Sequence, residues 1–112
     1  LRSEERICFA GQITGVEGYI ESAMSGILAG KQLARRLRGL PALELPRDTM
    51  SGALCAYISD ESVAGFQPMG CNMGLLPPLG ERVRDKQQRY QMIAERGLGH
   101  LREVLREEQE VL

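Results

Sequence analysis

The sequence has no long apolar run, no paired-cysteine motif, a single histidine and almost no net charge, and each shortage removes a class of protein. The longest uncharged part of the first helical segment, Ser22 to Gly30, is closed off by Glu21 and Lys31. That is far below the ~20 apolar residues of a membrane span. No secretory leader pattern is present, so the expectation is a cytoplasmic chain with no membrane partner. Cys8, Cys55 and Cys71 are odd in number and widely spaced, and His100 stands alone, so neither a disulfide framework nor a metal site is expected. The cysteines read as small buried hydrophobes in a reducing compartment, and His100 as a solvated helix residue. A formal charge of -1 gives no global field to steer nucleic acid, which leaves only a local basic patch for that role. Also missing is a GxGxxG run after a strand, so no dinucleotide fingerprint lies in these residues.

What is present is ordinary globular composition over 112 residues, 43% hydrophobic and 26% charged. The charged opening "LRSEER" leads straight into the apolar run Ile7 to Ala10, stopped by Gly11. That run has the pattern of a strand buried on both faces. Few other segments could hydrogen-bond to it, so the expected sheet would lie in sequence beyond this chain, which reads as a piece of a longer polypeptide.

From Val16 to about Arg38, apolar residues recur at three and four, predicting a long amphipathic helix ended by Gly39-Leu40-Pro41. Gly18, Ser22, Gly26 and Gly30 form one row of small residues along it. Three interior glycines cost roughly 2–3 kcal/mol against alanine. Close packing on a sheet accounts for Gly26 and Gly30, and approach to a ligand for Gly15 and Gly18. After the connector "PALELP", Asp48 is expected to cap a shorter helix with Met50, Ala53, Leu54, Tyr57 and Ile58 on one face. The apolar stretch from Gly65 to Gly80, with four glycines and three prolines, is neither helix nor central strand and should lie over a core or a planar group. From Glu81 a final charged helix is expected, with Tyr90, Ile93, Ala94, Leu98, Leu101 and Leu105 on its apolar face. Arg82, Arg84, Lys86 and Arg89 gather at its start, against the preference of the helix dipole. They form either a solvated face or a patch for phosphates.

The junction after Ala10 carries the chemistry. A strand ending in Gly11-Gln12, followed by Thr14-Gly15 and a helix start, gathers free backbone N–H groups at the positive end of a helix dipole. Gly11 and Gly15 keep the approach open, Thr14 is the expected N-cap, and Gln12 can donate its amide. A carbonyl or oxyanion is the group such a site favours.

The stretches "FAGQITGVEGYIESAMSGILAG" and "FQPMGCNMGLLPPL" closely resemble the FAD-dependent tRNA-modifying proteins related to glucose-inhibited division protein A. Within that group the likeness is to the folate- and FAD-dependent tRNA (uracil-5-)-methyltransferases, from about Ile7 to Leu98. It implies transfer of a methylene carbon from methylenetetrahydrofolate to uracil C5 of a T-loop uridine in tRNA, with FAD as cofactor and NADH or NADPH as electron source. It also implies an α/β fold in which this chain is the C-terminal part of an FAD-binding Rossmann-like domain. Gly11, Gln12, Thr14, Gly15 and Val16 would surround the isoalloxazine, with Glu17 pointing away, and Arg82, Arg84, Lys86 and Arg89 would touch tRNA phosphates. The catalytic cysteines would lie upstream, so no catalytic residue is assigned here. The role of Cys71 is left open.

This reading divides the chain into the strand-turn-helix of residues 1–40, a connector, short helix and Gly/Pro-rich segment over 41–80, and a C-terminal helix over 81–112. The remainder of the parent chain and tRNA are its expected partners. Two alternatives stand beside it: part of the sister FAD enzyme that builds carboxymethylaminomethyl groups on wobble uridines, and a non-catalytic helical interaction module.

Overall fold

The computed structural model describes the backbone of residues 1–111 and the side chains of residues 1–108. Three helices account for its regular structure: α1 (Tyr19–Leu37), α2 (Met50–Ser59) and α3 (Lys86–Val111). Two single 3-10 turns, Gln12–Thr14 and Met73–Leu75, punctuate the connections.

The expected strand at Ile7 to Ala10 does not form among the described residues. The segment has neither helix nor ladder partners, and Ile7 and Phe9 are about half exposed. The cause is the one the sequence implied: an apolar strand is stable only where neighbours take its backbone bonds. One parallel bridge occurs elsewhere, between Val16 and Met69. In it the Met69 N–H donates to the Gly15 carbonyl at 2.8 Å, and the Glu17 N–H to the Met69 carbonyl at 2.9 Å. This bridge stitches the Gly/Pro-rich segment to the junction and leaves Val16 almost wholly buried.

Val16 is therefore extended backbone, and α1 begins three residues later than the apolar spacing suggested. Gly18, at φ 96°, is its N-cap with no side-chain bond. Thr14 does not cap it: its hydroxyl donates to the Gly11 carbonyl at 2.7 Å inside the 3-10 turn. At α2 the cap likewise moves by one residue, because Thr49 accepts from the Gly52 N–H at 3.0 Å. Asp48 is freed to face α3. There its carboxylate meets His100 Nδ1 at 2.5 Å and Arg96 Nε at 3.5 Å, so His100 is a tertiary contact rather than a purely solvated residue.

The third helix starts at Lys86 rather than Glu81, because Asp85 Oδ1 accepts the Gln87 N–H at 2.9 Å and ends the preceding extended stretch. Arg96 grips the Pro77 and Pro78 carbonyls at 2.6 and 3.1 Å, and Lys31 of α1 reaches the buried Glu108 at 2.7 Å. Gly97 lets α3 cross the start of α2, since a Cβ there would overlap the Asp48 carbonyl oxygen.

The core is thin: Val16, Leu43, Ala53, Leu54 and Ile93 are its buried apolar residues. The accessible surface is 8046 Å², against about 6,100 Å² for a compact chain of this mass. The radius of gyration, 15.2 Å, likewise exceeds the ~13 Å expected for this length. Several large apolar side chains on α1 are among those left exposed. Tyr19, Ile20, Ile27 and Leu37 are between 63% and 92% exposed, and a Cβ on Gly26 or Gly30 would meet nothing. The face turned inward instead carries Ser25, Gln32 and Arg35, which bond to Gly11, Leu43 and Pro41. The stripe that the sequence marks for burial is thus the outer surface of this chain.

Candidate functional site

The five junction residues are together but not equally available. Gly11 donates its N–H to Ser25 Oγ at 2.8 Å. Thr14 and Gly15 donate theirs to the Gly11 and Gln12 carbonyls, both at 3.0 Å. Val16 is sealed in the bridge. At the start of the 3-10 turn the N–H groups of Gln12 and Ile13 have no partner among the described residues, as at any helix start. Both residues are exposed, and the Gln12 side chain makes no hydrogen bond among the described residues. The donors this turn can offer are therefore those of Gln12 and Ile13.

Gly15 is needed for a different neighbour from the one the sequence suggested. It is buried at φ 100°, and a Cβ there would overlap Cζ of Phe66 and lie 2.7 Å from Cε1. Phe66 in turn stacks on Tyr57, with ring centroids 5.3 Å apart and planes 24° from parallel. The Tyr57 hydroxyl donates to the Gln67 carbonyl at 2.8 Å. In this chain the space against Gly15 is taken by an aromatic ring supplied by the Gly/Pro-rich segment itself.

The acid that governs the positive end of α1 is Glu21, not Glu17. Glu17 is exposed, whereas the Glu21 carboxylate folds back over Gly18, its Cδ 2.7 Å from where a Cβ would stand. Glutamate at the third helical position commonly reaches back in this way and complements the dipole. Its Oε1 also accepts the Cys71 N–H at 3.3 Å. Partial desolvation first, and then this carboxylate, push the Cys71 thiol above its ordinary range. The Cys55 thiol is raised as well, by burial and then by Cys71. Cys8 and Cys71 are exposed and Cys55 half-buried, so the expectation of three buried cysteines is corrected.

Behind the junction a cleft of ≈ 640 Å³ runs between residues 8–14, the inner side of α1, the 43–47 connector and α2. Phe9, Thr14, Ser25, Gln32 and Cys55 are among its walls. No group of three metal-ligating side chains occurs among the described residues, and no described helix is long and apolar enough to cross a membrane.

The basic residues gather at the other end of the chain. Arg82, Arg84 and Arg89 line a shallow cleft of ≈ 380 Å³ with Pro78, Leu79 and Ile93. Lys86 stands beside it, its Nζ 5.5 Å from the Tyr90 ring centroid, and the Arg89 guanidinium lies at the same distance. Tyr90 is exposed, not part of the apolar face to which its spacing assigned it. What sequence reasoning missed is the pairing of Gly15 with Phe66 and of Glu21 with Cys71. Both partners lie in the irregular segment, where no periodicity reports which way a side chain points.

Comparison with known proteins gives the following. The family described as "Glucose inhibited division protein A" matches residues 1–41. The methylenetetrahydrofolate-tRNA-(uracil-5-)-methyltransferase TrmFO of Lactiplantibacillus plantarum is 54% identical over 93 residues, covering 83% of this chain and 21% of that protein. The TrmFO proteins of Thermotoga neapolitana and Enterococcus faecalis are each 50% identical, over 94% and 87% of this chain and 24% and 22% of their own lengths. Over most of its length the chain is therefore homologous to a segment of TrmFO proteins, and it spans less than a quarter of the three named here.

Proposed function

We propose that this chain serves as part of a flavoenzyme that methylates uracil C5 of a tRNA T-loop uridine. Methylenetetrahydrofolate would be the carbon donor, FAD the cofactor and NADH or NADPH the electron source. The observation that carries the reading is identity of about half over more than four fifths of the chain to proteins named for that activity. Those names favour the T-loop reaction over the wobble-uridine sister enzyme. The thin core speaks against an independent interaction module.

A bound flavin would supply the electron-transfer chemistry. The chain's own contribution fits that group at one place only. The Gln12 and Ile13 N–H groups, with the Gln12 amide, can donate to the carbonyl edge of an isoalloxazine and favour negative charge there, an effect on the order of 1 kcal/mol. Gly15 and Val16 support this edge from behind: one accommodates Phe66, and the other anchors the turn to Met69. Thr14 closes the turn on Gly11. The Glu21 carboxylate lies over the start of α1, so a flavin carrying negative charge would be held by the turn rather than by the helix end.

The remaining parts of the reading follow from the outer surface. A row of small residues flanked by Ile20 and Ile27, exposed on a helix that follows an apolar run without a ladder partner at Ile7 to Ala10, is what a strand-helix unit presents when a parallel sheet covers it. We assign that cover to the remainder of the parent chain, in a Rossmann-like FAD-binding domain working in the cytoplasm. Arg82, Arg84, Lys86 and Arg89 would meet tRNA phosphates.

The test uses the intact protein. Purified protein should carry flavin absorbance and convert labelled methylenetetrahydrofolate and tRNA into 5-methyluridine in the T-loop. Absence of both flavin and product would overturn the reading. Neutralising the four basic residues should flatten the slope of log affinity against log salt by up to about 3; an unaltered slope would return them to a solvated face.

A further inference from the structure

We propose that Tyr90 is a stacking platform for an unpaired base of the bound RNA, with Lys86 and Arg89 gripping the phosphates on either side of it. This rests on the reading that the intact protein acts on tRNA. Three observations converge on the first turns of α3. First, spacing puts Tyr90 on the apolar face of its helix, yet the ring is 37% exposed and its hydroxyl makes no hydrogen bond among the described residues. Second, two cations stand over this ring, each 5.5 Å from its centroid, so positive charge is held at the ring and is free to pass to the phosphates of a nucleotide stacked there. Third, Arg82, Arg84, Lys86 and Arg89 form no ion pair with any carboxylate among the described residues, because Asp85 is engaged in capping the helix.

The partner chemistry follows from that combination. Four cations left without carboxylates within ten residues of chain call for a polyanion, and a partly exposed aromatic ring among them calls for planar rings attached to it. Nucleic acid supplies both. In a duplex each base is already stacked on its neighbours, so only an unpaired base can lie on the ring. Arg89 belongs both to the Tyr90 cluster and to the adjoining ≈ 380 Å³ cleft, where Pro78, Leu79, Val83 and Ile93 give apolar walls and Arg82 and Arg84 the charge. The strand would therefore pass from the ring into that cleft with its phosphates on the arginines.

The experiment measures binding of the intact protein to a short unstructured oligoribonucleotide carrying one 2-aminopurine, whose fluorescence is quenched on stacking. Wild type should quench it. Tyr90→Ala should abolish the quench and weaken binding about ten-fold, with the salt slope unchanged, since no phosphate contact is removed. Tyr90→Phe should keep both affinity and quench, and helicity by circular dichroism should be equal in all three proteins. Blunt duplex RNA of the same length should bind Tyr90→Ala and wild type alike. Wild-type quench and affinity in Tyr90→Ala would overturn the stacking role while leaving the tRNA reading intact. Failure of the wild-type protein to bind either tRNA or the oligonucleotide would instead remove the reading on which it stands.

Discussion

Replacing Gly15 with alanine separates two explanations for the absence of a side chain at this position. The backbone there has φ 100°, a region that costs an L-residue roughly 1–2 kcal/mol. The new Cβ would also overlap the Phe66 ring, 2.7 Å from its Cε1, and such overpacking typically adds about 1–3 kcal/mol. Gly15→Ala should therefore destabilise the intact protein by roughly 2–5 kcal/mol, read as a shift in the urea midpoint by circular dichroism. Phe66→Ala alone loses the stack on Tyr57, worth about 0.5–1.5 kcal/mol beyond its buried area. In that background the clash is gone, so Gly15→Ala should cost only the ~1–2 kcal/mol of backbone strain, giving a coupling of about 1–3 kcal/mol between the two sites. The same four proteins report on flavin. If the glycine admits Phe66, its substitution lowers the ratio of bound flavin to protein only through the displaced ring, and Phe66→Ala restores that ratio. Equal cost in both backgrounds, with flavin lost regardless of Phe66, would refute the packing argument and return the position to the cofactor.

Five further substitutions probe the frame. Gly97→Ala should destabilise by about 2 kcal/mol, because its Cβ meets backbone of Asp48 that cannot yield, whereas Gly99→Ala, with open space around it, should stabilise by about 1 kcal/mol; thermal melts of the pair decide it, and equal shifts would deny that α3 crosses α2 there. Asp48→Ala should cost about 1–3 kcal/mol, since Arg96 and His100 both rely on its largely buried carboxylate; His100→Ala, at a half-exposed ring, should cost under about 1 kcal/mol. Glu21→Gln should speed alkylation of Cys71 at mildly alkaline pH, because it removes the charge that, after burial, holds this thiol protonated. Both Cys55 and Cys71 ionise less readily folded than unfolded, so their contribution to stability is complete below the ordinary thiol range and is lost as pH rises through the raised folded values.

The sequence was most legible where one period held over many residues. Helices α1 and α3 were readable from spacing, but their starts were not. Each start was set by a specific bond: Met69 draws Val16 and Glu17 into extended backbone, and Asp85 rather than the basic cluster opens α3. The cap of α2 moved from Asp48 to Thr49 for a similar reason, since an aspartate beside Arg96 and His100 has better partners than a backbone N–H. The turn at Gly11 to Val16 was recognisable as a donor site, yet which of its amides remain free depends on Ser25 and on closure of the 3-10 turn. Residues 65–80 announced only that they are rigid and apolar. That Phe66 comes to rest on Gly15, and Cys71 against Glu21, are contacts across some fifty residues that carry no periodic trace.

The inversion of α1 ties these points together. A helix buried by its own chain should turn Ile20, Ala23 and Ile27 inward, with the glycine row beneath them. Here that stripe faces out, while Gln32 and Arg35 face in and bond to the connector carbonyls of Leu43 and Pro41. Directed bonds from Ser25, Gln32 and Arg35 on the inner face fix the helix's rotation about its own axis, which leaves the apolar stripe of Ile20, Ala23 and Ile27 free for a second surface. Gly26 and Gly30 sharpen the expectation, because glycine in mid-helix is tolerated where another backbone comes close, and nothing among the described residues does so. Substituting both with alanine should therefore raise the helicity of this chain alone, by about 1 kcal/mol of helix stability at each position. In the intact protein the same change should destabilise, because the added methyl groups would stand where a covering sheet lies. Circular dichroism and urea midpoints measured on both forms test this opposition of sign, and stabilisation in both would mean that the outer face of α1 stays bare.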